Sequence, residues 1–211
     1  EADFSEGEVN LINQINQYFL KKNISLSEKD LIVDLGCGPG NLSEKLALKW
    51  PDTEVIGIDG SKEMILRAEY NKEISINQKN LKNLRYICSD IRDIKSINFL
   101  LKKKISLLVS NSLIHHIINL EDFFNTIITL SSDITVNFHK DLKRPLDETS
   151  AQELKAQCSI KYDEILTNDY YASLRASYTF KELKNFTSEN DLSSLDVFED
   201  GDKYLIVYGN V

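Results

Sequence analysis

The chain has 211 residues and a mass of 24.2 kDa, the size of one domain built on a single hydrophobic core. Its 42% hydrophobic and 27% charged residues, with only 3 prolines and 8 glycines, exclude a disordered, fibrous or linker-rich chain. With 25 Lys and Arg against 33 Asp and Glu the formal charge is -8, the wrong sign for neutralising a phosphate backbone, so no nucleic-acid partner is expected.

In chain order, the predicted elements begin with a leading helix over about 6–22. Ser5-x-x-Glu8 resembles a capping box, and Val9, Ile12, Ile15 and Phe19 form an apolar stripe behind it. Short apolar, β-branched runs then alternate with helix-like segments, a rhythm that predicts β-α-β units and a parallel sheet covered on both faces. Strands are expected at Leu31-Leu35, Glu54-Ile58, Leu84-Cys88, Ser106-Ser110 and Asp133-Phe138. Leu42-Trp50, Ser61-Asn71 and Leu120-Leu130 carry helical apolar periodicity and read as crossovers. His139 to Pro145 reads as a polar loop, followed by a helical insertion over about 147–176 with segments near Asp147-Ser159 and Asp163-Ala176. Thr179-x-x-Glu182 opens another short helix, and Leu195-Glu199 with Lys203-Tyr208 around Asp200-Gly201-Asp202 has the signature of a hairpin. No repeat or linker interrupts this order, and 1–211 is expected to form one domain.

Cys37, Cys88 and Cys158 are odd in number, widely spaced and lack a C-x-x-C pair. They suggest neither a disulfide framework nor a zinc site, and fit a reducing, cytoplasmic setting. The most apolar stretch, Ile105 to Leu120, is broken by serines, Asn111 and two histidines, well short of the ~20 apolar residues of a membrane span. No signal peptide is visible, although the chain opens at Glu1 without a methionine, which leaves upstream residues open.

Three of the eight glycines fall in Val33-Asp34-Leu35-Gly36-Cys37-Gly38-Pro39-Gly40, directly after the first strand and before a helix. A strand-to-helix turn that brings backbone close to a ligand has no room for a Cβ and often needs positive φ, which glycine supplies. The helix N-terminus beyond it offers free N–H groups to a negatively charged portion of a ligand. The G-x-G-x-G spacing departs from the G-x-G-x-x-G fingerprint of dinucleotide-binding loops. The second strand ends in Ile58-Asp59-Gly60-Ser61, placing a carboxylate where it can accept both hydroxyl protons of a ribose. The third ends in Cys88-Ser89-Asp90-Ile91, a second carboxylate one strand further out.

These segments, together with Ser110-Asn111-Ser112-Leu113-Ile114-His115-His116 after the fourth strand, resemble the class I S-adenosylmethionine-dependent methyltransferases over nearly the whole chain. The resemblance implies a Rossmann-like α/β fold: a doubly wound, mostly parallel seven-stranded sheet closed by a C-terminal antiparallel hairpin. It implies S-adenosylmethionine as cofactor, released as S-adenosylhomocysteine, with Asp34, Gly36, Gly38, Gly40, Asp59, Gly60, Asp90, Ile91 and Asn111 at the donor. Met64, one turn into the helix after Asp59, packs either on the adenine or in the core.

Ligands of open parallel sheets bind beyond the carboxyl ends of the strands, where the loops after strands one, four and five converge. His115 or His116 is expected in the acceptor pocket, the other being structural. Metal ligation by the pair is not expected, since no third ligand is suitably spaced. Asp141-Leu142-Lys143-Arg144-Pro145 resembles a D-L-x-R-P segment of a subset of these methyltransferases, as do Asp169-Tyr170-Tyr171-Ala172-Ser173-Leu174-Arg175 and the opening Asp3-Phe4-Ser5. Arg144 can bind an acceptor carboxylate by its fork, or pair internally with Asp141. Tyr170, Tyr171 and Arg175 are candidates for a lid over the acceptor, against plain packing. Cys37 lacks a neighbouring base and reads as a small loop residue rather than a nucleophile.

The expected reaction is methyl transfer to an O or N atom of a small-molecule acceptor, with His115, His116 or Asp141 as base where the acceptor must lose a proton. A nicotinamide-dependent oxidoreductase is the alternative enzyme, disfavoured by the loop spacing and the hairpin; a non-catalytic nucleoside-binding domain is the alternative of another class. The residues do not choose an oligomeric state.

Overall fold

The computed structural model describes residues 5–76, 81–93 and 98–211. Seven helices, α1 (Ser5–Lys22), α2 (Asn41–Lys49), α3 (Lys62–Ile76), α4 (Leu120–Leu130), α5 (Glu148–Ser159), α6 (Glu164–Ala176) and α7 (Phe180–Glu189), accompany seven strands among the described residues. The strands are β1 (Leu31–Leu35), β2 (Glu54–Asp59), β3 (Leu84–Cys88), β4 (Ile105–Asn111), β5 (Val136–Leu142), β6 (Leu195–Asp200) and β7 (Tyr204–Asn210). They form one sheet in the order β3-β2-β1-β4-β5-β7-β6. The first five run parallel, and β7 is antiparallel to both β5 and β6. The doubly wound sheet with its closing hairpin is the fold class the sequence predicts. The opening Asp3-Phe4 lies outside the described residues.

The apolar strands are apolar throughout because both faces are covered. In β1 all five residues are buried, with Leu31, Val33 and Leu35 facing α4 and α7 while Ile32 faces α1 and α2. The strand order reverses between β1 and β4, so the loops after these strands diverge and open a crevice.

The predicted apolar stripe of the leading helix is corrected. The buried stripe of α1 is Leu11, Ile12, Ile15 and Phe19, whereas Val9 is 47% exposed. Glu8 has its carboxylate on Lys45 of α2; the Ser5 side chain, the other half of the predicted capping box, lies outside the described residues.

The fifth strand starts at Val136 and runs on through His139-Lys140-Asp141-Leu142, the segment that reads in sequence as a polar loop. Every residue of it is buried, because each polar group finds a partner from elsewhere in the chain. His139 Nδ1 meets Ser110 Oγ at 3.0 Å, and its ring stands edge-on to Phe123. Lys140, 2% exposed, donates to Asp200 at 2.6 Å and lies 4.4 Å from the centre of the Tyr204 ring.

Elsewhere the sequence signals hold. Asp147 and Asp163 cap α5 and α6 by accepting from Ser150 and Leu166 backbone N–H groups. Thr179 and Glu182 form a complete capping box on α7.

Candidate active site

A cleft of about 770 Å³ opens beyond the carboxyl ends of β1, β2, β3 and β4, the size range of small-molecule and cofactor sites. The turn after β1 forms its floor. Gly36, Gly38 and Gly40 all have positive φ, a backbone shape that L side chains rarely adopt. At Gly38 a Cβ would meet no atom within 4 Å; it would project into open space beside the cleft. Gly40 serves packing instead. A Cβ there would strike the Tyr86 hydroxyl, so this glycine lets the start of α2 lie against β3. Gly40 is accordingly absent from the cleft wall.

Asp59, at the end of β2, ties two loops together. Its Oδ2 accepts the Gly38 N–H at 2.8 Å and its Oδ1 accepts the Ser61 N–H at 2.8 Å. A carboxylate has about four acceptor positions, so capacity for further donors remains at the mouth of the cleft. Gly60 and Met64 line the same wall. Asp34 in β1 is fully buried and accepts from Ser43 Oγ at 2.6 Å. Burial, reinforced by the nearby Glu8 and Asp59 charges, pushes its carboxyl up to about 7 against the Ser43 hydrogen bond.

On the far side, Asp90 is clasped by Arg92, whose Nε donates at 2.9 Å and whose backbone N–H also donates at 2.9 Å. Those hydrogen bonds hold its carboxyl below the usual range. Ile91 is buried beside it, its carbonyl accepting from Thr126.

The fourth wall follows β4. Asn111 leads into Ser112, which is left-handed and whose N–H donates to the Lys140 carbonyl. A 3-10 turn over Ile114–His116 comes next. Asp141, 3% exposed, holds it: Oδ2 accepts the N–H of Ile114 at 2.5 Å and of His115 at 3.3 Å, while Oδ1 accepts His115 Nδ1–H at 2.5 Å. His115 is therefore the structural histidine. Its ring backs onto that of His116 at 4.1 Å, and His116 is the one that faces the cleft, beside Leu113 and Ile117. Partial burial first, then His115, lowers the His116 pKa.

Nine of the ten residues predicted for the donor, all but Gly40, thus share one cleft with His116, but the other acceptor-side candidates lie elsewhere. Asp141 is sealed beneath the turn, both its oxygens taken by Ile114 and His115. Arg144 pairs with Glu182 of the α7 capping box, not with Asp141 or the cleft. Tyr171 donates to Glu148 and accepts from Gln152, clamping α6 to α5, with Arg175 and Lys155 near its ring. Tyr170 is half-buried, its phenol pushed up to about 12 by burial. None of these five lines the cleft, although α6 packs against the turn carrying the histidines. Burial drives the Cys37 thiol far above its ordinary pKa, in keeping with a loop residue that does not react.

Sequence reasoning misses Glu8, Leu113, Ile117 and Ile118 on the cleft wall. For Glu8 a signal exists: an acid one turn ahead of the buried stripe of α1, on the same face. Among the described residues no group of three or more His, Cys, Asp and Glu side chains is arranged to hold a metal ion, and no helix is long and apolar enough to cross a membrane.

Residues 26–182 match the family described as "Methyltransferase domain". The chain belongs to that family, and its fold is that of the class I S-adenosylmethionine-dependent methyltransferases. Among curated proteins, the trans-aconitate 2-methyltransferase of Rhodopseudomonas palustris (strain HaA2) is 54% identical over 37 residues, 18% of this chain and 14% of that protein. That of Azoarcus sp. (strain BH72) is 43% identical over 49 residues, 23% of this chain and 19% of that protein. The matched segments therefore span less than a fifth of either relative. Among solved structures, the plantazolicin methyltransferase BpumL, in complex with a triazolic desmethylPZN analog and SAH, superposes with a TM-score of 0.72 at 16% identity over 99% of this chain and 87% of that one. A SAM-dependent methyltransferase from Aquifex aeolicus gives 0.59 at 17% identity over 92% and 87%.

Proposed function

We propose that the chain transfers the methyl group of S-adenosylmethionine to an O or N atom of a small-molecule acceptor in the cleft. The observation that carries this reading is Asp59, fixed by N–H groups from two loops at the tip of β2 with acceptor capacity to spare for vicinal hydroxyls. Asp34, Gly36, Gly38, Gly60, Met64, Asp90, Ile91 and Asn111 complete the donor side. Bound there, the sulfonium supplies a methyl group already activated for displacement.

What the protein itself must do is hold an acceptor lone pair in line and exclude water, which accounts for roughly 7–11 kcal/mol of barrier reduction in favourable cases. His116, with its lowered pKa, is neutral near pH 7 and able to take a proton from a hydroxyl or ammonium group. Leu113, Ile117 and Ile118 give that end of the cleft an apolar wall. Asp141 and His115 keep His116 aimed. Free thiols at Cys37, Cys88 and Cys158 support a reducing, cytoplasmic setting.

Calorimetry tests the donor assignment: S-adenosylhomocysteine should bind and NAD(H) should not, and the reverse overturns it. Incubation of a metabolite extract with labelled donor, followed by mass spectrometry, tests turnover and finds the acceptor. Trans-aconitate, named in the curated relatives, is the first single compound to assay. Tight S-adenosylhomocysteine binding without labelled product across that extract would favour a nucleoside-binding domain instead.

A further inference from the structure

We infer that Glu8 is a further donor-binding residue, through which the leading helix α1 reads the ammonium group on the amino-acid tail of the donor. The inference rests on the reading of the cleft as an S-adenosylmethionine site.

Placement makes the first argument. Leu11, Ile12, Ile15 and Phe19 seat α1 on the sheet and on α2, and Glu8 continues that face by one turn. The continuation carries it past the apolar core to the wall of the cleft, where it is only 5% exposed and shares the lining with Asp34, Gly36 and Gly38. An acid in a position the helix periodicity reserves for an apolar side chain needs a chemical reason.

Charge makes the second. A carboxylate withdrawn from water requires a cationic or hydrogen-bonding partner. Lys45 of α2 supplies one, at Oε2, but the same wall also carries Asp34 and Asp59. The Asp34 carboxyl is raised to about 7 chiefly by burial, and the neighbouring Glu8 and Asp59 charges push it further the same way. An ammonium placed between Glu8 and Asp34 offsets those charges, and the donor tail ends in one.

Rigidity makes the third. Gln14 donates to Asp200 at 2.8 Å, and Asp200 is itself anchored on the buried Lys140. Glu8 is thus presented from a helix fastened to the sheet, as a preorganised binding group must be.

Three proteins and two ligands test this: wild type, Glu8→Gln and Lys45→Met, titrated calorimetrically with S-adenosylhomocysteine and with 5′-methylthioadenosine, which has the nucleoside and sulfur but no amino-acid tail. Glu8→Gln should weaken S-adenosylhomocysteine by roughly 10- to 100-fold and leave 5′-methylthioadenosine within about twofold, which also shows that the variant is folded. Lys45→Met should bind S-adenosylhomocysteine at least as tightly as wild type. Equal losses for both ligands, a parallel loss in Lys45→Met, or an unchanged S-adenosylhomocysteine affinity in Glu8→Gln overturns the role of Glu8 while the cleft reading stands. Failure of the wild type to bind either ligand overturns both.

Discussion

The Asp59 carboxylate accepts the Gly38 N–H across 2.8 Å, joining the turn after β1 to the tip of β2. One side chain therefore both shapes the glycine turn and waits at the cleft. Asp59→Ala should weaken S-adenosylhomocysteine binding by about 1–3 kcal/mol, through loss of charge-assisted hydrogen bonds. Calorimetry at constant pH measures it, and an unchanged affinity sinks the assignment.

Gly38 sits at φ +52 with open space beyond it. Gly38→Val should abolish S-adenosylhomocysteine binding, because a branched side chain on this lining residue disfavours the left-handed backbone that shapes the turn and crowds the cleft mouth. It should leave the far-ultraviolet circular dichroism native, with a strain cost of about 1–3 kcal/mol visible in the melting temperature. Normal affinity in a folded variant counts against the turn's role.

Removing Asp141 should separate turnover from donor binding. In Asp141→Ala the buried Ile114 N–H and His115 Nδ1–H lose their acceptor, at a cost of about 1–3 kcal/mol each. The turn should shift and His116 with it, so kcat falls while S-adenosylhomocysteine affinity stays within about threefold. A proportional loss of both would make Asp141 a general stability residue.

Arg144 carries the prediction most altered by the structure. Because its guanidinium is on the half-exposed Glu182 carboxylate, Arg144→Met should lower stability by less than about 1 kcal/mol and spare kcat/KM. A large drop in kcat/KM with unchanged melting would restore it to the acceptor site.

Acid stability should report on His139. Burial alone depresses its pKa to about 3, against an unfolded value of about 6.5. The stability this neutral imidazole confers is complete above pH 6.5 and declines as pH falls towards 3, by several kcal/mol at most. Denaturant titrations of wild type and His139→Gln between pH 7 and 4 should show the steeper decline in wild type; parallel curves exclude His139 as the source.

The half of the cleft proposed for the donor is legible in the sequence because it depends on local order. Gly36 and Gly38 follow β1, and Asp59 and Asp90 follow β2 and β3, so strand ends alone bring them together. The segments proposed for the acceptor side depend on partners far along the chain. Lys140 looks like a loop residue until Asp200, sixty residues on, is placed beside it, and Arg144 looks available until Glu182 takes its guanidinium. Glu8 is hidden for the opposite reason: Ser5-x-x-Glu8 satisfies a familiar local pattern, which masks its long-range use at Lys45.

The position of β7 between β5 and β6 has a bearing on how the protein is made. While the ribosome has yet to deliver Tyr204–Asn210, β5 is an open sheet edge, and Lys140 lacks both Asp200 and the Tyr204 ring. Nascent chains that stop short of this segment should therefore be protease-sensitive and prone to self-association through β5, and the crevice should acquire its final shape only after translation has passed residue 210.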